Sequence, residues 1–166
     1  PADPGPATPA VPSADQKFTS HYDDGTLKET WFKNDKGQRV GDWTKYYPGG
    51  REQVIIPFED GKVHGDLLIY YKNGQLQGKE PWIQGKKHGD MIQWWPNGQV
   101  KWSAHFEDGK THGEVVSYDE NGQVLKKSSW RHGERHGASL EYDPQGNVTS
   151  HGVYEDGRLV SGDSFD

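Results

Sequence analysis

Short runs of alternating apolar and polar residues, separated by glycine-containing turns, occur along most of the chain. One run covers residues 66–71 and ends at Lys72-Asn73-Gly74, and the next covers residues 76–82 and ends at Gln84-Gly85. A period of two is typical of β-strands, and Asn-Gly or Asp-Gly between two such runs is typical of tight hairpin turns. The pattern therefore predicts an antiparallel β-meander.

This hairpin pattern recurs every 24 residues. His88-Gly89-Asp90 leads through Trp94-Trp95 to Asn97-Gly98, and the same order begins 24 residues upstream at His64 and 24 residues downstream at His112. A fixed period of this size is the signature of a repeat array. We expect an all-β fold of six 24-residue hairpin repeats, the first irregular, that form one elongated, twisted antiparallel sheet. Two aromatic ladders follow the period: Tyr22, Tyr46, Tyr70, Trp94, Tyr118 and Tyr142, and then Phe58, Trp82, Phe106, Trp130 and Tyr154.

Three regions are expected along the chain. Residues 1–16 are rich in Pro and Ala, which predicts an extended flexible linker. Residues 17–163 form the repeat array, and residues 164–166 form a C-terminal tail.

Alternation along each strand assigns side chains to one face of the sheet or the other. One face is expected to carry Leu68, Tyr70, Leu76, Trp82 and their equivalents, which are apolar from the third repeat onward, so we interpret it as structural. On the opposite face the repeats differ. Repeats two to four place Trp43, Tyr47, Leu67, Ile69, Tyr71, Met91 and Trp95 there, whereas repeats five and six place Ser117, Asp119, Ser139, Glu141 and Asp143. An apolar patch that stops partway along an array indicates a partner-binding surface; the alternative is that the N-terminal segment or a curled sheet edge covers it.

Composition and charge limit the class of partner that the chain is expected to bind. The net charge is −6, and no basic run is longer than Lys126-Lys127, which disfavours nucleic acid and favours a protein with a basic surface. Acidic turns at Glu59-Asp60 and Glu107-Asp108 are expected to form a steering rim for it. No run of residues is long and apolar enough for a membrane span. Hydrophobic content is only 30%, but seven Trp and eight Tyr favour a thin sheet of aromatic side chains over disorder.

No catalytic or cofactor motif stands out. The histidine ladder at His64, His88, His112 and His136 has neighbours ~10 Å apart across two strands, too far for one zinc ion. The carboxylate ladder at Asp42, Asp66, Asp90 and Glu114 has no evident pocket in which one pKa would be raised. We therefore expect a protein that is not an enzyme and that has no metal site and no cofactor.

The order His-Gly-x-x-x-x-Tyr-Tyr-x-Asn-Gly-Gln at residues 64–75, followed by Gly85-Lys86-Lys87-His88-Gly89, resembles the variant MORN repeat, which in bacteria marks the YwqK-type antitoxins. This resemblance implies an immunity protein that binds and neutralises a toxic effector, for example a secreted lipase or a cell-wall hydrolase delivered by a secretion system. Asp119 and Asp143 depart from the pattern by replacing the second aromatic residue.

The Pro/Ala-rich start also resembles the spacer of bacterial envelope lipoproteins. It implies a periplasmic protein with a lipid anchor upstream of Pro1; a plain N-terminal tail and a cytoplasmic location are the alternative. The runner-up function is an envelope scaffold or a lipid- or glycan-binding MORN module.

Overall fold

The computed structural model describes residues 15–164, which form one open antiparallel sheet of 15 strands in meander order. The predicted all-β repeat fold is confirmed. All of the predicted linker except Asp15 and Gln16, and all of the predicted tail except Ser164, lie outside the described residues. The strands are β1 (Gln16–His21), β2 (Leu27–Lys33), β3 (Arg39–Tyr46), β4 (Glu52–Glu59), β5 (Lys62–Val63), β6 (Gly65–Tyr70), β7 (Leu76–Ile83), β8 (Lys86–Lys87), β9 (Gly89–Trp94), β10 (Val100–Glu107), β11 (Lys110–Tyr118), β12 (Val124–Arg131), β13 (Glu134–Tyr142), β14 (Val148–Glu155) and β15 (Arg158–Ser164).

Each repeat contains two kinds of turn, which line opposite long edges of the sheet. In the first turn, Gly74 N–H donates to Tyr71 O at 2.9 Å, and only the glycine has a positive φ, of 90°. In the return turn, two successive residues have positive φ, as at Asp60 (48°) and Gly61 (80°). The return turns are also joined to one another, because Gly85 N–H donates to Val63 O of the preceding return turn at 2.8 Å.

On the second strand of each hairpin, the expected division of side chains between the two faces is correct for the first residue, such as Leu76, but wrong beyond it, as at Trp82. Residues directly opposite each other in a ladder share a face. Trp82 lies opposite Gly65, and Glu80 lies opposite Leu67, so Trp82 shares the face of Leu67 and not that of Leu68. The cause is a β-bulge: Ile69 pairs with Gly78 but Tyr70 pairs with Leu76, so one extra residue on β7 inverts the alternation.

The same register shift recurs on β10, β12 and β14. We call the face of the second aromatic ladder the front face; it carries Phe58, Trp82, Phe106, Trp130 and Tyr154, together with Trp43, Leu67, Ile69 and Met91. The back face carries Leu68, Tyr70, Leu76, Ile92, Val116 and their equivalents.

The sheet is thin. Among residues 15–164 no large side chain is fully buried, and the buried apolar residues are Met91, Ala104 and Val116. Most other ring and aliphatic side chains are half-buried, so each repeat is held mainly by its two neighbours.

No helix in the described part of the chain is long and apolar enough to cross a membrane.

Candidate functional site

A row of aromatic rings and cations runs along the front face beside the return turns. Ladder pairing places Val63 opposite Phe58, Lys87 opposite Trp82 and Arg135 opposite Trp130. Lys87 Nζ lies 5.6 Å from the centroid of Trp82 and 5.5 Å from that of Phe106, so the cation stands between two rings. Its attraction to both rings contributes to the stability of this part of the ladder.

Trp43 lies in the same row, in the second repeat. The Arg39 guanidinium carbon lies 4.0 Å from the Trp43 ring centroid, and Lys45 Nζ lies 4.5 Å from it. Phe58 packs beside the indole with centroids 6.5 Å apart. The anchor predicted at Trp43 is therefore an aromatic residue flanked by positive charge.

An apolar groove opens on the front face at repeats four and five. Its volume is about 470 Å³, and it is lined mostly by apolar surface. Leu125 is 42% exposed there, and Lys101 Nζ lies 4.3 Å from the Trp95 ring centroid. This groove offers a continuous apolar surface on the front face to a partner. Its lining residues are Met91, Gln93, Trp95, Lys101, Trp102, Ser117, Tyr118 and Leu125.

Two other predicted anchors, Tyr47 and Tyr71, have a structural role. Trp95 combines the same role with its place in the groove. The Tyr47 hydroxyl donates to Tyr70 O at 2.9 Å, and the Tyr71 hydroxyl donates to Trp94 O at 2.8 Å. Trp95 Nε1 donates in the same way to Tyr118 O at 3.1 Å, while its ring lines the groove. These side chains fasten the first turn of one repeat to the next repeat.

The other apolar residues predicted for the binding surface differ in how deeply they are buried. Leu67 and Ile69 are half-buried on the front face, whereas Met91 is only 6% exposed. The Met91 sulfur lies 3.7 Å from Lys87 Nζ. Met91 therefore supports the groove from beneath.

The acidic residues predicted as a rim lie on the other long edge. Asp60 and Asp108 occupy return turns with φ of 48° and 49°, and Glu59 contacts His64 Nδ1 at 3.3 Å. Glu107 contacts His112 Nδ1 at 3.7 Å. A strand of six residues spans ~20 Å, so these carboxylates do not surround the groove between the first turns.

The histidine ladder makes contacts between return turns. His64 Nδ1 lies 3.4 Å from Gln84 N, and His88 Nδ1 lies 3.4 Å from Asp108 N. Within residues 15–164 no group of three or more His, Asp or Glu side chains is arranged to hold a metal ion.

Hydrogen bonds hold the pKa of three turn carboxyls below the ordinary value. The donors are Thr26 to Asp24, Asn147 to Asp143 and Arg131 to Asp156, where the Arg131 charge adds to the effect. A general acid needs a shift in the opposite direction.

Sequence reasoning missed Trp102, Lys101 and Leu125, although all three line the groove. Position 102 corresponds to Gly78 and Lys126 in neighbouring repeats, so Trp102 breaks the period at a bulge. A bulky ring at a position that does not repeat was the available signal.

Three successive segments of the chain, residues 63–84, 87–108 and 111–132, match the MORN repeat variant. The chain thus carries MORN-type β-hairpin repeats through the middle of its sheet, and these repeats contain Leu67, Tyr71, Met91, Trp95 and Trp102. No curated protein matches the chain.

Proposed function

We propose that this protein is an immunity or antitoxin protein that binds a toxic bacterial effector through its front face and neutralises it. The observation that carries the binding role is the open apolar groove at Trp95, Trp102 and Leu125, next to half-buried Leu67 and Ile69. An exposed apolar patch with a polar surround is typical of a protein-binding surface. The neutralising role is supported by the resemblance to the YwqK-type antitoxins.

Neutralisation would act by occlusion. Trp102 and Leu125 would enter the partner surface as anchors, with Trp43 as a second contact farther along the array. Aromatic anchors in a desolvated centre contribute most of the affinity of such interfaces. The bound sheet would then cover the effector's active site or its docking surface.

We also propose a periplasmic location, which is supported only by the Pro/Ala-rich composition of residues 1–16. In that compartment the partner would be an effector that attacks lipid or cell wall.

The first test is capture of the partner from lysate and secreted fractions of the source strain, followed by an inhibition assay of the captured enzyme. We expect one stoichiometric enzyme whose activity falls on mixing. Capture of envelope structural proteins without any inhibition would instead favour the scaffold function.

A matched pair of variants then tests whether the partner binds the groove of the front face. Leu125→Ser removes an apolar side chain that is 42% exposed in the groove, and Val148→Ser removes one that is 38% exposed on the back face. We expect Leu125→Ser to weaken effector binding at least about tenfold and Val148→Ser to leave it within about twofold. Equal affinities for both variants would rule out the groove as the binding surface.

A further inference from the structure

The net charge of −6 is not spread evenly over the molecule. Much of the negative excess lies in turns, at Asp23, Asp24, Asp60, Asp108, Asp119, Asp143 and Asp156. The front face has the opposite sign, because ladder pairing and ring contacts place at least seven cations but, among residues 15–164, only three carboxylates on it. These seven cations are Lys33, Arg39, Lys45, Lys87, Lys101, Lys126 and Arg135, and the carboxylates are Glu29, Glu80 and Glu141.

Each of the three front-face carboxylates is already paired with a cation of the same face. The pairs are Glu29 with Lys45 at 3.7 Å, Glu80 with Lys87 at 3.1 Å and Glu141 with Lys126 at 2.5 Å. Within residues 15–164, the other four cations, Lys33, Arg39, Lys101 and Arg135, make no ion pair. Their charge is available to a partner.

Each of these four cations lies over an aromatic ring. Lys33 lies 5.6 Å from the Phe18 centroid, Arg39 lies 4.0 Å from Trp43, and Lys101 lies 4.3 Å from Trp95. Arg135 lies 5.2 Å from Tyr154 and 5.7 Å from Trp130. A ring restrains the side chain before binding, so less conformational entropy is lost when a carboxylate arrives. Arginine over a ring still presents N–H donors at its edge for bidentate contact.

We propose that the front face binds an acidic segment of the partner protein, with carboxylates at Arg39, Lys101 and Arg135 and apolar side chains in the groove near Trp102. This inference rests on the proposed function in taking the partner to be a protein. It replaces, for this face, the basic partner that the net charge alone favoured. A partner docked on this face responds to the charges of that face more than to the net charge of the whole molecule, because exposed charges are screened over about 8 Å at physiological ionic strength.

The spacing of the cations favours a protein over a polyphosphate. Arg39 on β3 and Arg135 on β13 are eight strand steps apart, or about 40 Å at ~4.8 Å per strand, with an apolar groove in between. Nucleic acid and anionic membranes are bound by clustered cations without such a groove.

The experiment is fluorescence anisotropy with a labelled peptide of Glu-Glu-Leu triplets, and the matched control is the same peptide with Gln in place of Glu. Arg39→Gln with Arg135→Gln removes two front-face cations. Lys86→Gln with Lys110→Gln removes the same charge from the back face, where neither lysine makes an ion pair among the described residues. Thermal unfolding of every variant verifies the fold, and Arg39→Lys with Arg135→Lys keeps the charge if the Gln variant does not fold.

We expect the Glu peptide to bind the unmodified chain and the Gln peptide not to bind. The Arg39/Arg135 double Gln variant should lose about tenfold in affinity, the Lys variant less, and the back-face variant under about twofold. Equal losses from the two faces, equal binding of the two peptides, or binding only to phosphatidylglycerol vesicles or single-stranded DNA would overturn the proposal. The peptide assay uses no effector, so its result is independent of the inhibition assay. The peptide can bind even if no effector is neutralised, and an effector can be neutralised even if the peptide does not bind.

Discussion

The first turns of repeats three and five are held by different side-chain hydrogen bonds. In repeat three, Tyr71 reaches into the next repeat, where its hydroxyl donates to Trp94 O at 2.8 Å. In repeat five, the equivalent Asp119 stays within its own turn and accepts hydrogen bonds from Asn121 N and Gln123 N, both at 2.8 Å. Tyr47 and Trp95 behave like Tyr71, and Asp143 behaves like Asp119.

This comparison separates two explanations of one sequence feature. The aromatic residues at this position stop after repeat four, which alone would indicate a binding surface. The contacts show that the aromatic side chains couple neighbouring repeats, whereas the aspartates stabilise single turns. At the first turns, the first half of the array therefore has additional side-chain bonds between repeats, whereas the second half has side-chain bonds within single turns.

The largest expected effect comes from Tyr71→Ala. It removes a half-buried ring and the bond to Trp94 O, and should cost about 2–3 kcal/mol of unfolding free energy. Urea unfolding followed by tryptophan fluorescence measures it. Tyr71→Phe is the control, which should lose only about 1 kcal/mol for the hydrogen bond. If the Ala variant is no less stable than the Phe variant, the ring does not couple the repeats.

A smaller effect is expected from Asp119→Ala. The side chain accepts two backbone N–H groups in its own turn, much as a helix N-cap does, and its loss should cost about 1 kcal/mol. Amide hydrogen exchange distinguishes the two mechanisms: faster exchange should be confined to residues 119–123, whereas Tyr71→Ala should also accelerate exchange in the following repeat. Spread of the Asp119 effect into repeat six would contradict the local assignment.

The smallest expected effect is on the stability of the fold at low pH. The Asn147 hydrogen bond holds the pKa of Asp143 below its ordinary value of 3.8. A lowered folded-state pKa adds stability that is present above about pH 4 and is lost as the pH falls through the folded value. Asp143→Asn should therefore flatten the acid side of the stability profile, measured as the unfolding midpoint between about pH 5 and pH 2. Tyr71→Phe should leave the slope unchanged, because a phenol hydroxyl bears no charge in acid.

Periodicity was sufficient to predict the fold. The 24-residue spacing of glycines and rings indicates hairpins, their number and their order, and the sheet from β1 to β15 follows them. Turn chemistry was predicted only in part. Asn73 does not have a positive φ, whereas Gln84 and His132 do, at 49° and 52°. The return-turn backbone is set by its hairpin geometry more than by the residue that precedes the glycine.

The candidate surface was predicted less well, for a physical reason. One unpaired residue per repeat inverts the alternation, so a period-of-two pattern assigns Trp82 and its equivalents to the wrong face. The positive front face is equally hidden. Arg39, Lys87 and Arg135 share one position of the repeat, but Val63 and Thr111 interrupt that series, and Lys101 lies at another position. Neither the net charge nor the repeat pattern says which face of the sheet a charged side chain lies on. The bulge determines which charged side chains share a face.

The bonds between return turns bear on how such a chain changes in evolution. Gly61, Gly85, Gly109, Gly133 and Gly157 each donate to a carbonyl 22 residues earlier, at 2.8–2.9 Å. Every repeat thus carries the donor for the repeat before it and the acceptor for the repeat after it. Duplication or loss of one 24-residue unit would leave all other bonds of this series in place. The number of repeats can therefore change in single genetic steps, and with it the length of the surface and the spacing of its charges.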